Sequence, residues 1–256
     1  MGATRKADRV ADDLLRGIVS GEITVGSLLP KEAELALRYG VNRSVVREAI
    51  KLLEVHRLVR PQRRRGTEVL NPMHSLSADV IEAMLAPEPG TLDPEVLADL
   101  LEVRAGIDRQ MTMLAAERRT TEDTAALHAS VDAIAAALSD ADAYDAEVDR
   151  FVLLIARASH NRVYEMLVHW NQRVSRQLRE VFRVARPIGA PHVEALRMLV
   201  GMIEERRGTE LGALVDAYHQ WAAPRMMAAA ALRGGAPLSS IAPEMTDATD
   251  ATEDPP

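Results

Sequence analysis

The chain has no cysteine among its 256 residues. That excludes disulfides, zinc ribbons and thiol nucleophiles, and it suits a reducing compartment. Aromatic residues make up only 3% of the sequence and glycines number 14. Sheets built from aromatic and β-branched residues between frequent turns need the opposite mixture, so a mostly α protein is expected. No apolar run approaches the ~20 residues that cross a bilayer. Met1-Gly2-Ala3-Thr4-Arg5-Lys6 is not followed by an apolar signal core. The expectation is a cytoplasmic protein with no membrane partner. Also missing are a Glu-x-x-His pair, a glycine-rich phosphate loop and a nucleophile motif, which leaves little to support an enzyme.

What is present is unevenly charged. Of 31 Lys and Arg and 38 Asp and Glu, residues 1–70 hold 14 and 9, leaving 17 and 29 for the rest. A basic head on an acidic body points to a polyanion partner for the head, either nucleic acid or an acidic protein.

Apolar spacing predicts a helix near 6–20, carrying Val10, Leu14, Leu15 and Ile18 on one face. A second helix begins after Pro30, with Glu32 and Glu34 in its first turn, and stops at Gly40. Asn42 is a suitable N-cap for a third, striped with Val45, Val46, Ala49, Ile50 and Leu53. Extended pieces at 58–60 and 67–70 flank Pro61-Gln62-Arg63-Arg64-Arg65-Gly66 and read as a hairpin with a basic tip. After a hinge at 71–75, helices are expected near 76–86, 93–119, 121–139, 142–159, 161–185, 190–207 and 209–232. Thr120 and Asp123 are spaced to cap one of them. The boundaries implied are a head at 1–72, an all-helical body at 76–232 and a disordered acidic tail at 233–256.

Two helices joined through Tyr39-Gly40-Val41-Asn42 have helix-turn-helix spacing, in which the second helix offers its N-terminal residues to the major groove. Those residues are Asn42, Arg43, Ser44 and Arg47, and Arg suits bidentate bonding to guanine. The tip Arg63, Arg64, Arg65 and Gly66 suits phosphates or a narrow minor groove. The run Leu29-Pro30-Lys31-Glu32-Ala33-Glu34-Leu35-Ala36, then Tyr39 to Ile50, Leu53-Glu54, Leu58-Val59 and Arg65-Gly66-Thr67-Glu68-Val69 resembles the winged helix of the GntR family. The body resembles that family's FadR-type helical FCD domain through Glu102-Val103-Arg104, Ala158-Ser159-His160-Asn161, His192 and His219. The resemblance implies a cytoplasmic homodimer, a repressor by expectation, that reads a palindromic double-stranded DNA operator and answers to a small-molecule effector. Against the family pattern, Ala33 stands where a basic residue is common. Asn42 replaces a serine, and Arg57 replaces the glycine that usually ends the recognition helix.

Members of the subfamily commonly hold a divalent metal with one Asp and three His, the Asp and first His at i, i+4. Here Val148 and Val152 fall at those two positions, while His192 and His219 stand where the other two would be. Two neutral imidazoles make a poor ion site, and a slipped register using Asp145 and Asp149 would turn the carboxylates off the face. The expectation is therefore no metal cofactor. Arg104, Asp108, Val148, Val152, His192 and His219 should instead line an effector pocket, for a carboxylate or acyl compound with Arg104 as its anchor. A satisfied polar network between helices is the alternative for Arg104 and the histidines. His128, His160 and His169 are expected at the surface, and Tyr164, Trp170 and Trp221 in the core.

Overall fold

The computed structural model describes residues 2–88, 90–179, 181, 183 and 189–234. The head comprises α1 (Gly2–Val19), α2 (Glu32–Tyr39), α3 (Arg43–Val55) and an antiparallel hairpin of β1 (Val59–Gln62) and β2 (Gly66–Val69). Leu14, Ile18, Leu35, Val46, Leu53 and Leu58, each at most 1% exposed, fill the space between α1, α3 and the hairpin. Fully burying one such side chain is worth about 1.5–3 kcal/mol, so these few contacts hold the unit together.

Local signals set the ends of these elements. Gly40 at φ 61° stops α2 in the left-handed region. The side chain of Asn42 accepts the Val45 N–H at 3.0 Å and starts α3. Arg57 also sits in the left-handed region, at φ 58°. The turn closes through Leu58 N–H to Leu53 C=O at 2.9 Å, which seats Leu58 in the core. Burial of Leu58 offsets the cost of about 1 kcal/mol for a residue carrying a Cβ in that region. The segment before α2 lies against β2: Gly26 N–H reaches Val69 C=O and Leu29 N–H reaches Thr67 C=O, both at 2.8 Å.

The body contains α4 (Ala78–Leu85), α5 (Pro94–Arg118), α6 (Thr121–Ala136), α7 (Ala141–Ala158), α8 (Arg162–Val174), α9 (Ala190–Glu204) and α10 (Gly208–Gly234). Long α5 packs against α7, α9 and α10, and α6 against α7 and α9. Thr120 and Asp123 form the expected reciprocal cap on α6. The expected helix at 161–185 is broken: the α-helical pattern ends at Val174 and Ser175–Leu178 tightens into a 3-10 turn. Val174, Leu178 and Val181 stay buried on one side, so apolar spacing alone does not register the change. Helix α10 continues to Gly234 and accommodates Pro224 in its interior. The tail expected at 233–256 lies outside the described residues from 235 onward.

Helix α4, expected in the body, shares itself between two cores. Val80 and Ala83 join the head's core, while Ala78 and Leu85 join α5, the 3-10 turn and α10. Among the described residues, no helix is long and apolar enough to cross a membrane.

Candidate functional site

On the head, the side chains of Arg43, Ser44 and Arg47 are exposed along the N-terminal turns of α3, because Val45, Val46, Ala49 and Ile50 take the buried face. Arg43 makes no hydrogen bond or ion pair among the described residues. Arg47 Nε lies 2.7 Å from Glu32 Oε2 on α2, a partner that sequence reasoning assigned only to the helix dipole. Asn42 Oδ1 is engaged twice, by Val45 N–H and by Ser44 Oγ–H at 2.8 Å, so Asn42 caps the helix and Ser44 braces the cap.

The wing tip is exposed from Arg63 to Gly66, with Arg64 at φ 64° and Gly66 at φ 120° turning the chain. Arg63, Arg64 and Arg65 form no ion pair within the described residues. Arg60, in contrast, is held by Glu68 at 2.8 Å across the strands, and Gln62 donates to the same oxygen. Those two hydrogen bonds keep the Glu68 carboxyl below its ordinary range. The tip therefore projects three exposed cations that form no ion pair, although Arg65 adds to the field on Glu68, while Arg60 in the stem is paired. Behind α2, Tyr39 donates to Asp13 on α1, and burial together with that bond pushes its hydroxyl up to about 12.

In the body, one cavity of about 230 Å³ is lined by all six residues expected to form a pocket: Arg104, Asp108, Val148, Val152, His192 and His219. Helices α5, α7, α9 and α10 each contribute a wall. Asp108 joins Arg104 at 3.4 Å and His219 Nε2 at 3.1 Å, all three largely shielded from solvent. His192 Nδ1 bonds the hydroxyl of Tyr144, which is 3% exposed. Sequence reasoning missed Tyr144, although it stands four residues before Val148 on the same face of α7. It also missed Thr112 and Tyr218, whose types carry no signal without the fold.

Asp145 and Asp149 are not in this cavity. They line a separate polar cleft bounded by α7, α8 and the 3-10 turn, where Asp145 is held by Arg183 Nε at 2.7 Å. Arg104 and Val152 form the wall common to both spaces. His128, His160 and His169 are exposed, and Tyr164 and Trp170 are partly buried. Trp221 departs from its expected core position. It is 39% exposed, with the Arg225 guanidinium 4.4 Å from its ring centroid. Its neighbours on the inner face of α10, Ala222 and Met226, take the core instead.

A winged head with an arginine-lined recognition helix, followed by a helical body around a cavity, is the architecture of a DNA-binding transcriptional regulator. The chain belongs to the GntR family of bacterial regulatory proteins: residues 6–69 match that family's model and residues 99–220 match the FCD domain. It is 30% identical over 223 residues to the uncharacterized HTH-type transcriptional regulator Rv0494 of Mycobacterium tuberculosis, covering 87% of this chain and 90% of that one. It is also 30% identical to the galactonate operon transcriptional repressor of Escherichia coli, over 63% of this chain and 70% of the relative. A solved GntR structure from Streptococcus agalactiae shares 23% identity at a TM-score of 0.45, covering 85% of this chain and 98% of that chain. The protein is a regulator and not an enzyme.

The residues present do not fit the metal that members of the subfamily commonly hold. Val148 and Val152 offer no donor atom, and the nearest carboxylates on α7 face the other cleft. Among the described residues, no group of three or more His, Cys, Asp or Glu is placed to hold an ion.

Proposed function

We propose that the chain is a homodimeric cytoplasmic repressor that binds a palindromic DNA operator and is controlled by a small molecule in the body's cavity. The observation that carries this reading is that Arg43 on α3 and Arg63, Arg64 and Arg65 on the wing are exposed and form no ion pair among the described residues. Exposed cations without carboxylate partners gain most from a polyanion, since phosphate contacts release condensed counterions. Arg43 and Arg47 stand on the N-terminal turns of α3, the part of a recognition helix that reads base edges, and a wing of this kind follows the adjacent backbone, which supports the reading. A single head contacts too few bases for genomic specificity, which supports a dimer reading two half-sites. The galactonate operon relative, named as a repressor, supports the sign of regulation.

The test is titration of the full chain with the duplex upstream of its own gene and with scrambled duplex, across salt concentration, alongside light scattering. Specific binding of two chains per site, with affinity falling steeply as salt rises, is expected. Equal affinity for both duplexes, or a monomer with and without DNA, overturns the proposal.

A further inference from the structure

The cavity in the body combines an apolar wall with a charge-balanced polar end. Most of its lining is apolar, including Val148, Phe151, Val152, Leu196, Leu199 and Leu214. At the polar end the Arg104 cation is matched by Asp108, which also holds His219. Arg104 further borders the cleft containing Asp145 and Asp149, whose carboxylates are paired with Arg183 and Arg179, so Asp108 is the carboxylate that Arg104 meets inside the cavity. An incoming carboxylate would have to share Arg104 with Asp108 in a space already shielded from water. Burying a second negative charge against one cation is unfavourable. A neutral hydroxyl or amide, by contrast, can exchange hydrogen bonds with Asp108 or His219 without adding charge.

From this we infer that the effector is an apolar molecule whose polar end is uncharged, which differs from the sequence expectation of a carboxylate or acyl compound in having no charged end for Arg104 to anchor. The inference rests on reading this cavity as the effector site. Size narrows the class further. A cavity of about 150 Å³ with apolar walls holds benzene, so the 230 Å³ here corresponds to roughly nine or ten non-hydrogen atoms. A medium-length alkyl chain or a substituted ring bearing one alcohol, phenol or amide group fits. The entrance is lined by Ala195, Met198 and Tyr218, all exposed, which supplies an apolar path from solvent. A small polyhydroxy or hydroxy acid would leave the apolar wall uncovered and its own hydroxyls unpaired.

Octanamide and octanoate are matched in shape and differ in charge, so they separate the alternatives. The full chain is titrated with each, following melting temperature and release of bound operator DNA, with L-lactate in the presence of zinc as a third probe. Octanamide is expected to act at a concentration at least about tenfold below octanoate, a gap of 1.4 kcal/mol, and lactate to have no effect. Asp108→Asn should narrow or reverse that gap by removing the competing charge. Ala195→Trp, built from an exposed alanine at the entrance, should abolish the octanamide response while leaving the unliganded melting temperature and DNA affinity near wild type. Octanoate acting as well as octanamide, with both lost in Ala195→Trp, overturns the uncharged end and leaves the cavity as the effector site. Neither amide nor acid acting, or both acting undiminished on Ala195→Trp, overturns the cavity itself. A zinc-dependent response to lactate overturns the apolar class.

Discussion

Asp79 on α4 holds the body through one carboxylate oxygen and faces the head with the other. Its Oδ1 accepts from Arg173 Nη2 at 2.7 Å, while Oδ2 lies 3.7 Å from His56 Nε2 at the end of α3. Ser77 Oγ bridges the pair, 2.7 Å from His56 Nδ1 and 3.2 Å from Asp79 Oδ2. Trp170 Nε1 donates to the Leu76 carbonyl at 3.0 Å, fixing the chain just before α4. The recognition helix and α8, which borders the cavity's neighbouring cleft, therefore meet at one short helix.

Removing that carboxylate should loosen α4 more than it destabilises the protein. Both partners are partly exposed, so the Asp79–Arg173 pair contributes at most about 1 kcal/mol. For Asp79→Asn we expect amide exchange across residues 78–85 to quicken by up to about fivefold, with global stability nearly unchanged. Hydrogen exchange followed by mass spectrometry checks this. Unchanged protection of α4 would show that the apolar contacts of Val80, Ala83 and Leu85 alone fix the helix.

Base reading and backbone contact should separate by mutation. Arg43→Ala and Arg47→Ala are each expected to cost about 1–3 kcal/mol of operator affinity and to relax preference at particular base pairs. Replacing Arg63–Arg65 should weaken binding more evenly across sequences and flatten the salt dependence. Glu32→Gln removes the carboxylate that steers Arg47, so it should relax specificity at the same positions as Arg47→Ala, at smaller cost. Affinities over a panel of single-base operator variants decide it. Loss of preference in the wing variant alone would reverse the roles.

The head was the legible part of the sequence because each of its elements carries a local signal. Gly40 ends α2, Asn42 caps α3 and the Arg63–Gly66 tip lies between two short extended runs. The arginine at position 57 could be marked as odd but not resolved, since a left-handed residue other than glycine is decided by the burial of Leu58 that follows it. In the body, the alignment of Val148 and Val152 located one wall of the cavity, and the i, i+4 rule would have added Tyr144. Partnerships were not legible. Asp108 with His219 spans 111 positions and Arg173 with Asp79 spans 94, and no periodicity records contacts at that separation. The 3-10 turn after Val174 was hidden because its buried residues keep a spacing compatible with either helix.

Acidity should act on stability at the same junction. Burial, and after it the like charge of Asp79, raises the Glu82 carboxyl above its ordinary value, while Arg173 and Arg176 pull the other way. A carboxyl raised in the folded state contributes its full stabilisation below the unfolded pKa and loses it as pH climbs through the folded value. At neutral pH, Glu82 is then a net liability. Glu82→Gln should melt above wild type at pH 7, and the difference should vanish towards about pH 4, below the ordinary Glu value. Thermal melts across that range measure it. A variant that melts lower at pH 7 would mean that Arg173 and Arg176 outweigh the burial.

Metal removal should leave the protein as it was. His192 is engaged through Nδ1 with Tyr144 and His219 through Nε2 with Asp108, so each imidazole already has a partner within the chain. Val148 and Val152 line the wall with methyl groups where the family's other two donors would stand. Two imidazoles do not complete a tetrahedral shell, and structural zinc sites draw all four ligands from protein. We therefore expect less than about a tenth of an ion per chain after purification, and no change in melting temperature or operator affinity on adding chelator. Elemental analysis finding one tightly held ion per chain, lost in a His192→Ala, His219→Ala variant, would sink this expectation. The complementary experiment restores the missing donors: Val148→Asp with Val152→His should create zinc-dependent thermal stabilisation where wild type has none. It should also weaken octanamide, because the new polar pair replaces the wall against which an alkyl chain would pack.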